Sequence, residues 1–187
     1  MDAIQERIHT LQQSLGENHL QGIALNPGPD LSYLSGLNFH LMERPVILII
    51  PLDGSPILVI PELEGAKISD IPYQVRSFIY NEDPSTWPAV FQAALTEAGV
   101  LKGRLGMIPR QMRMLEMTYL QDAAPDIELE NAQRLLANMR IYKDETEIAW
   151  MKEAVRIAEC ALTATLSSLR PGVTEKEIAS RLVGRLF

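Results

Sequence analysis

Two runs of branched apolar residues, "PVILII" at 45–50 and "PILVI" at 56–60, flank the dipeptide Asp53-Gly54. No other stretch constrains the fold as much. β-Branched side chains are stiff and suit a pleated strand. Asp-Gly tolerates the positive φ that a tight hairpin turn requires. The run is far too short to cross a bilayer, which takes about 20 apolar residues. It reads as a pair of buried antiparallel strands, so the chain must build a sheet around them.

The neighbouring segments supply that sheet and its covers. Ile4, Ile8, Leu11 and Leu15 recur at helical spacing, with Gly16 as a stop signal. "GIALN" is a short buried strand, "NPGPD" a turn, and "DLSYLSGLNF" a short helical turn capped by Asp30. "YQVRSFIY", "RLGMI" and "DIELEN" read as strands, and "DPSTWPAVFQAALTEAG" and "QMRMLEMTYLQDA" as helices. Strands and helices then alternate, which predicts an α/β domain with a mixed β-sheet flanked by helices, over residues 1–130.

Beyond it the pattern changes. "NAQRLLANMRIY" predicts a connector helix, so residues 131–143 link two parts. Residues 144–187 begin with one long helix running toward Arg170-Pro171-Gly172. Its apolar seam is Ile148, Met151, Val155, Ala158, Leu162, Thr165 and Leu169. Asp144 with Glu147, and later Thr174 with Glu177, have capping-box spacing. Ile178, Leu182 and Leu186 form the face of a last helix that ends on Phe187 with no stop signal. The sequence therefore reads as truncated within a second domain.

Composition excludes several functions. Hydrophobic residues make up 47% of the 187, enough for a core without covalent staples. A net charge of −7 and the lack of a basic run argue against nucleic acid and anionic membranes as partners. The single cysteine, Cys160, fits a reducing cytoplasm, and "MDAIQERIHTLQQSL" is no secretion signal.

A catalytic set is hard to assemble. His9, His19 and His40 are scattered, with no spacing that puts two metal ligands on one helix face. "KDETE" and "TEKE" are first-turn carboxylates and caps before they are ligands. There is no phosphate loop, Cys160 has no histidine near it in sequence, and no serine sits in a nucleophile elbow. The reading is no catalytic residue and no metal ligand in this chain.

Four stretches carry a family likeness: "YLSGL", "RPVILIIPLDGSPILVIPELE", "MRIYKDETEIAWMKEAVRIAE" and "RPGVTEKEIASRLVGRLF". With them the chain resembles the N-terminal part of the Xaa-Pro dipeptidase and aminopeptidase family, the creatinase/prolidase group of pita-bread enzymes. Arg140, Lys143, Glu147 and Ile148 stand where that family opens its catalytic domain, and Pro171, Gly172, Thr174, Glu175, Glu177 and Ile178 follow one helix later. The resemblance implies a ribonuclease H-like N-terminal domain, followed by the first helices of a pita-bread domain. It implies a homodimer, a proline-containing peptide substrate, and two divalent metal ions (Mn, Co or Zn) held by residues downstream of this chain. It also implies that the loop after "YLSG" reaches the partner's active site, so that Phe39, His40, Glu43 and Arg44 shape the substrate pocket in trans. By itself that loop reads as a solvated connection. Two other functions fit the likeness: a creatinase-type C–N hydrolase, and a non-enzymatic relative acting as a binding or dimerisation module.

Overall fold

A computed structural model describes residues 3–187 of the chain. A first helix, α1 (Ala3–Glu17), leads into the short strand β1 (Gly22–Leu25) and a helix of two turns, α2 (Pro29–Ser35). The hairpin strands β2 (Ile47–Pro51) and β3 (Ile57–Pro61) follow, then 3₁₀ turns over Glu62–Asp70 and strand β4 (Arg76–Tyr80). Next come α3 (Trp87–Glu97), β5 (Lys102–Met107), α4 (Met114–Ala123), β6 (Asp126–Asn131) and α5 (Gln133–Ile141). Two further helices, α6 (Glu145–Leu166) and α7 (Glu175–Leu186), complete the described residues.

The six strands form one mixed sheet in the order β4-β3-β2-β1-β5-β6. β2 is antiparallel to both β1 and β3, while β3–β4, β1–β5 and β5–β6 are parallel. Alternation along the hairpin explains why its runs are apolar at every position. Leu48, Ile50, Leu58 and Ile60 point into one core with Ile8, Leu11 and Leu15 of α1, Leu31 and Leu34 of α2 and Leu136 of α5. Ile47, Ile49, Ile57 and Val59 point the other way, against Trp87, Phe91 and Leu95 of α3 and Leu120 of α4. Strands covered on both faces cannot alternate apolar with polar.

Four local expectations are corrected. The hairpin connection is wider than a two-residue turn: the innermost β2–β3 partners are Ile49 and Ile57, and Gly54 supplies the positive φ of 95°. Gly16 lies inside α1, and the chain turns three residues later at His19, with φ 55°. Asp30 does not cap α2: Gly28 holds that position without a side-chain bond, and the Asp30 carboxylate instead accepts from Gln111 Nε2 at 3.1 Å. The long helix stops at Leu166, so Arg170 falls outside its last turn. Ser167 Oγ donates to Ala164 O (2.8 Å) and Ser168 Oγ to Thr165 O (2.7 Å), bonds by which hydroxyls compete with helical continuation.

The outer strands differ. β4 leaves Ile79 half exposed, and its Arg76 pairs with Glu97. β6 shows Asp126 and Glu128 to solvent, while Glu130 accepts from Arg104 at 2.9 Å.

The chain divides into two compact units, one ending at Met139 and one running from Arg140 to Phe187. In the second, both expected capping boxes form. Asp144 Oδ1 accepts from Glu147 N (2.7 Å) and Glu147 Oε2 from Asp144 N (3.0 Å), with the same exchange between Thr174 and Glu177. α6 packs on α7, yet of its 22 residues only Ala161 and Thr165 are buried. The seam residues Ile148, Met151, Val155 and Leu162 are 42–56% exposed. None of the described helices is long and apolar enough to cross a membrane.

Two phenols, Tyr80 buried and Tyr73 partly buried, give the first unit an alkaline limit. Tyr73 donates to Leu34 O at 2.8 Å and Tyr80 to Pro45 O at 2.6 Å. Burial pushes both hydroxyls well above the ordinary tyrosine range. A folded-state pKa raised above the unfolded one means stability is complete below about pH 10 and declines above it. Urea midpoints should therefore stay level through the tyrosine-neutral range and fall above pH 10. The loss is at most about 1.4 kcal/mol per pH unit for each tyrosine. Tyr80→Phe should flatten that limb, and a wild-type midpoint unchanged at pH 11 would contradict the assignment.

Candidate functional site

The residues with the greatest chemical content in the first unit lie on the segment between α2 and β2. It begins where Gly36, in the left-handed region at φ 76°, ends α2 by donating its N–H to Ser32 O at 2.8 Å. Only glycine enters that conformation without strain. Ser35 stays buried and donates to Leu31 O, while its Oγ accepts from Leu37 N at 3.1 Å. Ser32 Oγ bonds Asn38 Oδ1 at 2.8 Å. The turn is thus built from the polar residues of "SYLSGLN".

Beyond the turn the four expected loop residues have different roles. Phe39 is half buried against the α1-side core, and the Lys67 ammonium lies 4.7 Å from its ring centroid. His40 is exposed and has no hydrogen-bond partner among the described residues. Glu43 is exposed and pairs with Arg44 at 2.5 Å. Arg44 is tied twice: Nη1 goes to Glu43, while Nε donates to Glu82 Oε1 at 3.1 Å and Oε2 at 2.9 Å. The Glu82 and Glu43 carboxylates hold its pKa above the ordinary arginine value. Arg44 is therefore a strut between the loop and the end of β4 and not an unpaired cation awaiting an anion. Phe39, His40 and Arg44 line one small cleft with Met42, Leu63 and Glu64, whereas Glu43 does not line it.

Sequence reasoning missed the groups that hold this segment. Glu82 is 38 residues from Arg44, Lys67 bonds Asn38 O from 29 residues away, and Tyr80 bonds Pro45 O from 35. Contacts at such separations leave no periodic signal. Cys160 is exposed, with Arg156 Nη1 3.9 Å from its sulfur.

Among the described residues, no three His, Cys, Asp or Glu side chains converge as a cation site requires. His9 bonds Gln13 at 3.0 Å, and the carboxylates of Asp144, Glu147 and Glu177 are used by helix starts. These donors do not fit the pair of divalent ions that the family likeness implies, and no catalytic step runs through them.

The arrangement defines a class of domain: a mixed sheet with helices on both faces, whose displayed chemistry is a loop. The Creatinase/Prolidase N-terminal domain profile matches residues 7–142, and the chain belongs to that family. It is 29% identical over 166 residues to a probable dipeptidase PepE of Mycobacterium tuberculosis, covering 86% of this chain and 42% of that protein. It is 24% identical over 174 residues to a creatinase of a Bacillus species, covering 90% of this chain and 41% of the relative. The fold matches a prolidase from Thermococcus sibiricus with a TM-score of 0.84 at 24% identity, over all of this chain and 50% of that one. The chain thus spans about half the length of the relatives it matches.

Proposed function

We propose that this chain is the N-terminal part of a metal-dependent Xaa-Pro peptidase of the cytoplasm. In this reading its α/β unit contributes to homodimerisation, and its 36–46 segment enters the partner's substrate pocket. The cations and their ligands belong to residues beyond this chain. The observation that carries the reading is the cleft at the sheet end, where Phe39, His40 and Arg44 come together on a segment held at several points. The shared family and the length of its relatives support it.

Within this reading the loop residues take distinct parts. Arg44 and Glu82 brace the segment, and Phe39 anchors it to the core. His40, exposed and without a hydrogen-bond partner among the described residues, is the group left to meet a substrate carboxylate or carbonyl by hydrogen bonding. In the full-length protein, His40→Ala should raise KM for Xaa-Pro dipeptides by about tenfold, one lost hydrogen bond to a charged group. Glu43→Ala should change it by less than about twofold, because Glu43 lies outside the cleft. Unchanged steady-state kinetics for His40→Ala at saturating metal would remove the loop from the mechanism.

The similarity to a creatinase favours a second reading, a C–N hydrolase acting on creatine-like substrates. Turnover of creatine with none of Xaa-Pro dipeptides by the full-length protein would establish it over the first.

A further inference from the structure

The 36–46 segment is held from outside by ties of unequal quality. At one end Lys67 Nζ donates to Asn38 O at 3.0 Å, and at the other Tyr80 donates to Pro45 O. The Arg44–Glu82 pair also braces the segment, next to the Pro45 end and through a carboxylate that is 65% exposed. Between these ends, one side chain from elsewhere in the sequence grips the backbone: Arg113 Nη1 donates to Met42 O at 2.7 Å, across 71 residues. Arg113 is itself fixed. Its Nε donates to Glu116 Oε1 at 2.9 Å and Oε2 at 3.1 Å, and Nη2 also bonds Oε1. Glu116 is 0% exposed.

A fully buried carboxylate here needs a partner. A buried charge persists when it is paired and hydrogen-bonded, and this one receives a planar fork. The fork orients the guanidinium plane, and the plane aims the remaining nitrogen at Met42 O. Among the described residues no hydrogen bond holds the exposed His40 side chain, two residues before Met42, so the backbone that carries it governs where it stands. From this geometry we propose that Arg113, seated on Glu116, is the positioning residue that fixes residues 40–43 and so sets where His40 stands toward a peptide substrate. The proposal rests on the trans-loop reading for its consequence in catalysis, but not for its structural claim. The plain alternative is a helix-start ion pair: Arg113 occupies the N-cap of α4 and Glu116 its third position, which would stabilise α4 and nothing else.

Backbone ¹⁵N relaxation separates the two. In the wild-type chain, order parameters for residues 40–43 should be about 0.85, as for rigid backbone, and in Arg113→Lys they should fall below about 0.6. Lysine keeps the charge but cannot bond Glu116 and Met42 O together in one plane. β2 and α4 should be unchanged. Should Arg113→Lys fold poorly, the double variant Arg113→Met/Glu116→Gln removes both charges at similar shape, and it should loosen the same four residues. Residues 40–43 that stay rigid in a folded variant, or a loosening spread evenly over the first unit, would overturn the proposal. In the full-length enzyme, Arg113→Lys should raise KM for Xaa-Pro dipeptides about fivefold with kcat within about twofold. A loosened segment with unchanged KM would uphold Arg113 as the positioning residue and overturn the trans-loop role, so the two failures are distinct.

Discussion

The purified 187-residue chain, supplied with Mn²⁺, should hydrolyse Xaa-Pro dipeptides no faster than buffer does. Peptide hydrolysis through metal-bound water needs ligands that fix the ion and leave a coordination position open. The described residues offer no cluster of three His, Cys, Asp or Glu groups. Their most acidic stretches are committed to backbone N–H groups: Asp144 and Glu147 close one capping box, and Glu177 bonds Thr174 in the other. Breaking those boxes to gather ligands would cost about 1 kcal/mol per helix start. Enzymes of this kind accelerate reactions by at least about a millionfold, so presence and absence of a site differ beyond assay error. Turnover that tracks the protein peak through gel filtration, and disappears with a chelator, would refute the assignment of this chain as an accessory part.

The second large effect is on stability. Phe91→Ala should destabilise the first unit by about 3–5 kcal/mol, the usual cost of emptying a large aromatic site in a core. Phe91 is 0% exposed and stacks on Tyr119 with centroids 4.9 Å apart and planes 18° from parallel. Tyr119 also faces Trp87 at 6.0 Å, and Trp87 meets Tyr80 at 4.8 Å. The cavity would therefore open beside a chain of rings leading to the hydroxyl that holds Pro45 O. Domains have about 5–15 kcal/mol in total, so the variant would keep a small margin or none. Urea unfolding followed by Trp87 fluorescence, with Trp150→Phe as background to silence the other indole, reads the change directly. A loss under about 1 kcal/mol would mean that the α3–α4 layer repacks or that the ring is not where it is described.

The sheet and its two covers were legible because their signals are periodic or local. Unbroken apolar runs at 45–50 and 56–60 mark strands buried on both faces, and the observed split of Leu48 and Ile50 from Ile47 and Ile49 is what that pattern requires. Capping boxes depend on residues three apart, so Asp144–Glu147 and Thr174–Glu177 were visible in advance. Boundaries set by single hydroxyls were not: the long helix continues in the sequence pattern past Leu166, where Ser167 and Ser168 bond backward. The 3₁₀ turns of Glu62–Asp70 carry no buried residue and so no periodic trace. At the candidate site the residues of the loop itself could be named from the motif, but their partners could not. Arg44 looks like an available cation until Glu82 is brought beside it by the pairing of β3 with β4. Arg113 and Glu116 have helix-start spacing, yet the complete burial of Glu116 depends on packing that no short window contains.

The acidic face of the last strand bears on how crowded copies of this chain behave. β6 ends the sheet with one row of backbone groups not paired to another strand, the template on which fibrils and stacked dimers grow. A second copy docking edge to edge would bring Asp126 and Glu128 close to their own counterparts, like charge on like charge, as each new hydrogen bond formed. The exposed Asp126 and Glu128 thus act as a solubility guard, and high salt, which screens them, is the condition under which that guard is weakest.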